Sequence, residues 1–366
     1  MKMNIEDAKA AIKSLDITIP VFLWGPPGVG KSSLVHQLAQ EVGMGFKDVR
    51  LTTIDPTDLR GLPYIHEGRA YWANPVILPQ RADKEHGIKG DEECGYLLLD
   101  ELNSAHTTIQ AGAYQLVLDR KVGEYVLPDG WRIIAAGNRE EDRGVTFQMP
   151  RPLQNRFVHI EIEVDKKVWT NWAMKAGVSP TVIAFIESQP GMLNPSDKDK
   201  TKKSFPTPRT WEYTSKIINT VKNEDLLIPL LQGTIGDAAS HQFVSFLKLR
   251  HKLPNLDKIF AGKQEPLPSE TSLQYAFYAA LCGKVDDLVK ERGIAKLTKD
   301  DKFIGGLVYC ITKLEREFVE LIVRHLSERQ GQLFVALIKA APDLAKELTK
   351  MYGEIMTVSM KFGGGK

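Results

Sequence analysis

Between the apolar run Val21–Trp24 and a helical pattern over 32–42 lies GPPGVGKS, residues 25–32. A strand that ends in a glycine-rich turn and re-enters as a helix can follow few paths. Glycines let backbone N–H groups turn inward around a concave space, and the helix adds the positive end of its dipole. The stretch is therefore read as a phosphate cradle. Gly25, Pro26, Pro27, Gly28, Val29 and Gly30 supply the loop, and Lys31 is spaced to reach the β- and γ-phosphates of a nucleotide. The Ser32 hydroxyl is spaced to hold Mg2+, and Ser33 follows in the first helical turn.

A cradle alone hydrolyses nothing, because the metal also needs a carboxylate and the attacking water needs a base. GYLLLDEL, residues 95–102, ends a buried strand in two acids. Asp100 is expected to hold Mg2+ through its water, and Glu101 to polarise the attacking water. A third strand, IIAA, ends in Gly137-Asn138. If it neighbours the Asp100 strand, Asn138 is expected beside the γ-phosphate, where it orients the water. His66, His86 and His106 show no ligand-like pairing.

The chain has 366 residues, 43% of them hydrophobic and 26% charged, which fits a globular protein of two or three packed units. Its formal charge of +2 draws it neither to nucleic acid nor to an acidic membrane. The runs KDKTKK (198–203) and Lys166-Lys167 are read as solvated charge. Three dispersed cysteines, Cys94, Cys282 and Cys310, suggest a reducing compartment. The N-terminus lacks a signal peptide's apolar segment, and no run approaches the roughly 18 apolar residues of a membrane span. The cytoplasm is the expected location.

Periodicity predicts helix over 4–14, strand over 21–24, helix over 32–42 and strand over 46–53. A hairpin-like insert over 55–79 follows, then strand 96–99, helix 107–118, and strands at 121–127, 131–136 and 157–164. That alternation implies a three-layer parallel α/β domain over residues 1–165. Helical segments over 166–250 form a second part, and 251–366 is read as a linker and further helices. The linker is His251–Glu270, a single buried stripe runs through Phe303–Gln330, and a loose tail occupies Phe362–Lys366.

GPPGVGKS, LLLDE and IIAAGN, in that order, resemble an AAA+ ATPase module. TTIDPTDLRG (52–61), DRKVGEYVLPDGWRIIAAGN (119–138) and MPRPLQNRF (149–157) narrow the resemblance to MoxR-type AAA+ proteins, including CbbQ/NorQ-like members. It covers residues 18–260. The resemblance implies an α/β, parallel-sheet P-loop AAA+ core with a helical lid, extended here by C-terminal helices. It also implies ATP and Mg2+ as ligands. Arg156 of LQNRF is implied to reach the ATP of a neighbouring subunit, with Arg151 an open second candidate. Arg209 of SFPTPRTWEY is implied to touch the γ-phosphate in cis from the lid. Family members also use a polar residue at the end of the second strand to hold the catalytic glutamate. Thr52, Thr53 and Asp55 are all placed for that.

An arginine supplied between subunits requires a homo-oligomer, by analogy a hexameric ring. The implied function is an ATP-driven motor that remodels or matures a client protein with a von Willebrand factor A-type adaptor. The inserts at 60–80 and 119–131 are expected to face pore or partner. Tyr64, Tyr71 and Trp72 serve there either as grips or as packing. Two other classes stay open: a nucleic-acid-directed motor of the loader or restriction-translocase kind, and a small-molecule kinase or GTPase. No NKxD-type guanine reader is present.

Overall fold

The computed structural model describes residues 2–82, 89–139, 142, 147–195 and 203–351. His86, residues 198–202 of the KDKTKK run and the tail Phe362–Lys366 lie outside them. The chain divides into two compact units, Met1–Val168 and Trp169–Lys366. No described helix is long and apolar enough to cross a membrane.

In the first unit the chain runs through β1 (Lys2–Met3), α1 (Ile5–Ser14), β2 (Val21–Trp24), α2 (Lys31–Val42) and β3 (Gly45–Arg50). Next come α3 (Pro56–Arg60), β4 (Leu62–His66), β5 (Arg69–Ala73), β6 (Cys94–Asp100) and α4 (Thr107–Asp119). It closes with β7 (Lys121–Val122), β8 (Tyr125–Val126), β9 (Gly130–Gly137), α5 (Arg151–Gln154) and β10 (Val158–Ile162). Six strands form one parallel sheet in the order β1-β10-β2-β9-β6-β3. The expected parallel α/β core is thus present.

Both faces of the sheet are covered, which is why its strands read as unbroken apolar runs. Side chains alternate between faces along a strand. Phe22, Leu97, Leu99, Ile133 and Ala135 enter one core with Ile109, Ala113 and Leu116 of α4. Val21, Leu23, Leu98, Ile134 and Ala136 enter the other, with Ala8 and Ile12 of α1 and Leu34, Val35 and Leu38 of α2. Buried Arg132 of β9 donates to Ile12 O at 2.8 Å and Leu15 O at 2.6 Å. It thereby satisfies carbonyls at the C-terminus of α1, where a cation also suits the helix dipole.

Four boundaries differ from the sequence reading. β3 stops at Arg50 rather than Thr53, and Leu51–Thr53 is a 3-10 turn. The Thr53 hydroxyl takes the Arg50 carbonyl at 2.9 Å, a side-chain bond that competes with the strand. Asp55 and Asp58 close a capping box on α3, a short helix the pattern did not reveal. Residues 121–127 do not form one strand; they fold on themselves as the β7–β8 hairpin across Gly123-Glu124. Strand β1, missed for its length, extends the sheet beyond β10.

From α6 onward every described element is helical: α6 (Lys166–Lys175), α7 (Pro180–Ser188), α8 (Pro208–Thr220), α9 (Glu224–Ile235), α10 (Asp237–Lys248) and α11 (Leu256–Phe260). The rest are α12 (Thr271–Arg292), α13 (Ile294–Leu297), α14 (Asp301–Lys313), α15 (Arg316–Arg329), α16 (Gly331–Ala340) and α17 (Pro342–Met351). The expected connector His251–Glu270 contains α11. The expected single stripe over 303–330 is two helices, α14 and α15, parted at extended Leu314. Its 3, 4 spacing survives the break because both helices bury the same kind of face.

A polar cluster pins this unit internally. Asp286 of α12 accepts from His325 Nε2 at 3.1 Å, Arg329 Nη1 at 3.1 Å and Gln330 Nε2 at 3.0 Å. Arg329 also donates to Met174 O at 2.7 Å and to the carbonyls of Ala173 and Val178, which ties α15 to the α6–α7 turn. Burial alone would raise the Asp286 carboxyl. The bonds from His325 and Gln330 and the charge of Arg329 outweigh it, so its pKa lies below the usual 3.8. Burial of the fully enclosed His325 ring holds its pKa below 6.5, opposed in part by Asp286.

These two shifts act in separate windows. Asp286 contributes stability above about 3.8 that is lost only as pH falls through its lowered folded value. His325 takes its proton first in the unfolded chain, so stability falls as pH drops below 6.5. Thermal unfolding between pH 7 and 5 should show His325→Gln losing less stability than wild type on acidification. The difference in slope is at most about 1.4 kcal/mol per pH unit. Identical slopes would exclude a neutral buried His325.

Candidate functional site

Parallel register sends the C-terminal ends of β2, β9, β6 and β3 to one edge, and ligands of open α/β sheets bind outside that edge. The loop after β2 turns through Gly28 at φ 80° and Gly30 at φ 99°, left-handed conformations that glycine adopts without a Cβ clash. α2 then begins at Lys31, so its first N–H groups face the loop. Lys31 is nearly buried. Its ammonium donates to Gly25 O at 2.6 Å, Pro26 O at 3.0 Å and Asn138 Oδ1 at 3.0 Å. Ser32 Oγ donates to Asp100 Oδ2 at 2.8 Å, and the Glu101 amide donates to Asp100 Oδ1 at 2.9 Å.

β9 lies between β2 and β6, which is the condition on which the role of Asn138 depended. Asn138 is also tethered from below. Buried Asn103 donates from Nδ2 to Asn138 O at 2.7 Å, and its Oδ1 accepts from the Asn138 amide at 3.3 Å. A Cβ at Gly137 would stand 2.2 Å from Asn103 Oδ1, so only glycine allows this approach. Asn103 escaped the sequence reading. In DELNS it looks like any turn former, and nothing local marks it as buried.

Glu101 leaves β6 in a left-handed conformation, φ 58°, which swings it off the line of the strand. Its carboxylate accepts a short hydrogen bond from the Thr52 hydroxyl, and Arg50 Nε lies 3.9 Å from its other oxygen. Of the three polar candidates, Thr53 is spent on a backbone carbonyl and Asp55 on its helix cap. Thr52 is the one that reaches Glu101.

Arg151 opens the short α5 and Arg156 follows it before β10, and both are exposed. Among the described residues neither side chain makes a hydrogen bond or ion pair. Arg209 is exposed in the second unit, one residue after Pro208, which opens α8. The insert is an antiparallel hairpin, β4–β5, turning at Glu67-Gly68. Tyr64 stacks on Tyr71 with ring centroids 5.7 Å apart, yet Tyr64 is half exposed. Trp72 lies under the Arg60 guanidinium at 4.4 Å, and its amide donates to Glu124 of the β7–β8 hairpin at 3.2 Å. Leu62 and Ile65, 66% and 81% exposed, extend this apolar surface. Sequence alone did not single them out.

Hydroxyl and carboxylate oxygens 2.8 Å apart are donors suited to a hard cation such as Mg2+. With a nearly buried ammonium and the start of a helix beside them, they suit a triphosphate. Comparison with known proteins agrees. Residues 20–157 match the family model of the AAA domain, dynein-related subfamily. Over 179 residues, 47% of this chain, the sequence is 30% identical to midasin of Giardia intestinalis, of which the match spans 4%. Over 118 residues, 31% of this chain, it is 29% identical to the replication factor C large subunit of Pyrobaculum calidifontis, of which the match spans 23%. The chain thus spans a small part of these curated relatives. Among solved structures, the RuvB Holliday junction branch migration motor of Thermotoga maritima aligns with 70% of this chain and 71% of its own. At 20% identity and a TM-score of 0.36, that likeness is too loose to bear on function. The phosphate loop, the paired acids and the Asn138 strand all fall within residues 20–157, the segment that matches the AAA domain, dynein-related subfamily.

Proposed function

We propose that the chain is a subunit of an ATP-hydrolysing ring motor of the MoxR type that remodels a partner protein. The observation that carries this reading is the convergence of Lys31, Ser32, Asp100, Glu101 and Asn138 at one sheet edge. Lys31 neutralises the β- and γ-phosphates of ATP. Ser32 and Asp100 would hold Mg2+, which would neutralise phosphoryl charge. Glu101 draws the proton from a water that Asn138 orients toward the γ-phosphorus, yielding ADP and phosphate.

Two arginines complete the reading. Arg156, exposed and with no side-chain partner among the described residues, enters a neighbour's site, where its planar fork stabilises charge on the transferring phosphoryl. That demands head-to-tail packing, and a closed ring of six follows by analogy with MoxR-type proteins. Arg209 senses the γ-phosphate from the helical lid in cis. The client and a von Willebrand factor A-type adaptor engage the two hairpins, where Leu62, Tyr64 and Ile65 stand exposed. The cytoplasm suits such a protein. A nucleic-acid-directed motor is the second reading. The likeness to a replication factor C subunit favours it, and a formal charge of +2 gives it no basic surplus.

Glu101→Gln should bind ATP and still lose turnover by roughly 100-fold or more. Arg156→Ala should lose a similar factor, at least roughly 100-fold, and mixing the two variants should restore part of the turnover. Rescue arises only at a mixed seam that joins an intact base to an intact arginine. Arg156→Ala turning over ATP at the native rate would remove the ring motor, and stimulation by duplex DNA would favour the second reading.

The Thr52 hydroxyl holds the Glu101 carboxylate, so it restrains the base until a partner releases it. Thr52→Val should raise turnover in the absence of client by roughly three- to tenfold, the scale of one hydrogen bond. An unchanged or lower basal rate would show that Thr52 does not restrain Glu101.

A further inference from the structure

One side chain beside this edge has no part in the chemistry above, yet both of its polar atoms are engaged. Trp24 Nε1 stands 2.8 Å from Nδ1 of His159 on β10. An indole N–H can only donate, so Nδ1 is the acceptor and Nε2 carries the hydrogen of a neutral ring. That N–H donates to the Gln154 carbonyl at 2.8 Å.

These two bonds join segments far apart in the chain. Trp24 ends β2 and immediately precedes Gly25 of the phosphate loop. Gln154 ends α5, two residues before Arg156. The same carbonyl accepts from the Phe157 amide at 3.3 Å, so it lies within the turn that carries Arg156. Aromatic packing runs alongside: Phe22 stacks on Trp24 at 4.1 Å, Trp24 on His159 at 5.9 Å, and Phe157 meets Phe22 edge-on at 5.3 Å.

The turn has other anchors. Leu153 and Phe157 are buried, and Gln154 Nε2 donates to Met149 O at 3.0 Å. The His159 bridge is therefore not needed to keep the turn folded. What it adds is direction. Hydrogen bonds weaken steeply when misaligned, so a shift of Trp24 with the loop shifts the ring and the carbonyl behind it. The Arg156 side chain has no tether of its own among the described residues, so its placement follows the turn.

We propose that His159 is a positioning residue that couples the phosphate loop of one subunit to the Arg156 turn of the same subunit. The nucleotide held in one site then sets how arginine is presented to the next site around the ring. The proposal rests on Arg156 acting in trans, as above. Coupling of this kind is established by non-additivity, not by adjacency.

The test uses the full chain with Trp24→Phe, which keeps the ring and removes the N–H, and His159→Phe, which keeps an aromatic ring and removes both nitrogens. Each is made alone and in Arg156→Ala, and thermal unfolding confirms folding. His159→Phe should bind ADP within about twofold of wild type, because it touches none of the phosphate-loop residues. Either single variant should lose turnover at saturating ATP by roughly five- to tenfold, the scale of one or two directed hydrogen bonds. Neither should add a further loss to Arg156→Ala. Hydrogen exchange at amides 154–157 should slow when ADP binds wild type and should not respond in the variants.

Losses that multiply with Arg156→Ala, unchanged turnover in the single variants, or a surviving exchange response would each overturn the coupling while leaving Arg156 in its role. If Arg156→Ala alone turned over normally, the trans arginine would fall first and the coupling with it.

Discussion

The placement of β9 between β2 and β6 is the constraint on which the site depends. Neighbouring strands lie about 4.8 Å apart, so the phosphate loop after β2 and the acids after β6 are separated by one intervening strand. That gap is closed by side chains. Asn138 at the end of β9 meets Lys31, Ser32 reaches Asp100 directly, and Asn103 holds Asn138 from the β6 side. A slip of one residue in β9 would send Ile133 and Ala135 to the wrong face and withdraw Asn138 from Lys31. Burial on both faces prevents it, because each strand residue already has a core to fill.

The same arrangement gives the edge a division of labour. Its centre is enclosed: Lys31, Asp100 and Asn103 are all nearly buried and each has a hydrogen-bond partner. Its flanks are open. Arg151 and Arg156 stand exposed before β10, and Glu101 is held by Thr52 at the end of β3. From Thr52 a capped short helix, α3, leads straight into the exposed β4–β5 hairpin, which Arg60, Trp72 and Glu124 join to the β7–β8 hairpin.

The second unit is organised differently. It has no described sheet to impose register, so its helices are fixed by packing and by one buried polar cluster. Asp286 accepts three hydrogen bonds from α15 and the residue after it, and Arg329 extends the grip to three carbonyls around the α6–α7 turn. Removing one member would leave a charge or donor buried without its partner, which costs far more than the cluster's net contribution. Such a cluster specifies which helices meet, something a uniformly apolar stripe cannot do.

The local elements that carry the candidate site were legible in the amino-acid order. GPPGVGKS between a strand and a helix, two acids after YLLL, and Gly-Asn after IIAA each carry their meaning within a few residues, because turn geometry and strand burial are local requirements. Whatever depends on partners distant in sequence was decided by the tertiary structure. Asn103 looks like a turn residue until β9 arrives 35 positions later. Choosing Thr52 over Thr53 required knowing where β3 stops, and that is settled by a hydroxyl taking a carbonyl. The break at Leu314 is invisible because helical spacing continues through it. His159 is one histidine among eight in the sequence, and only the parallel pairing of β10 with β2 sets it against Trp24. Propensity and pattern act over a turn or two, whereas hydrogen-bond partnership is conferred by the strand order.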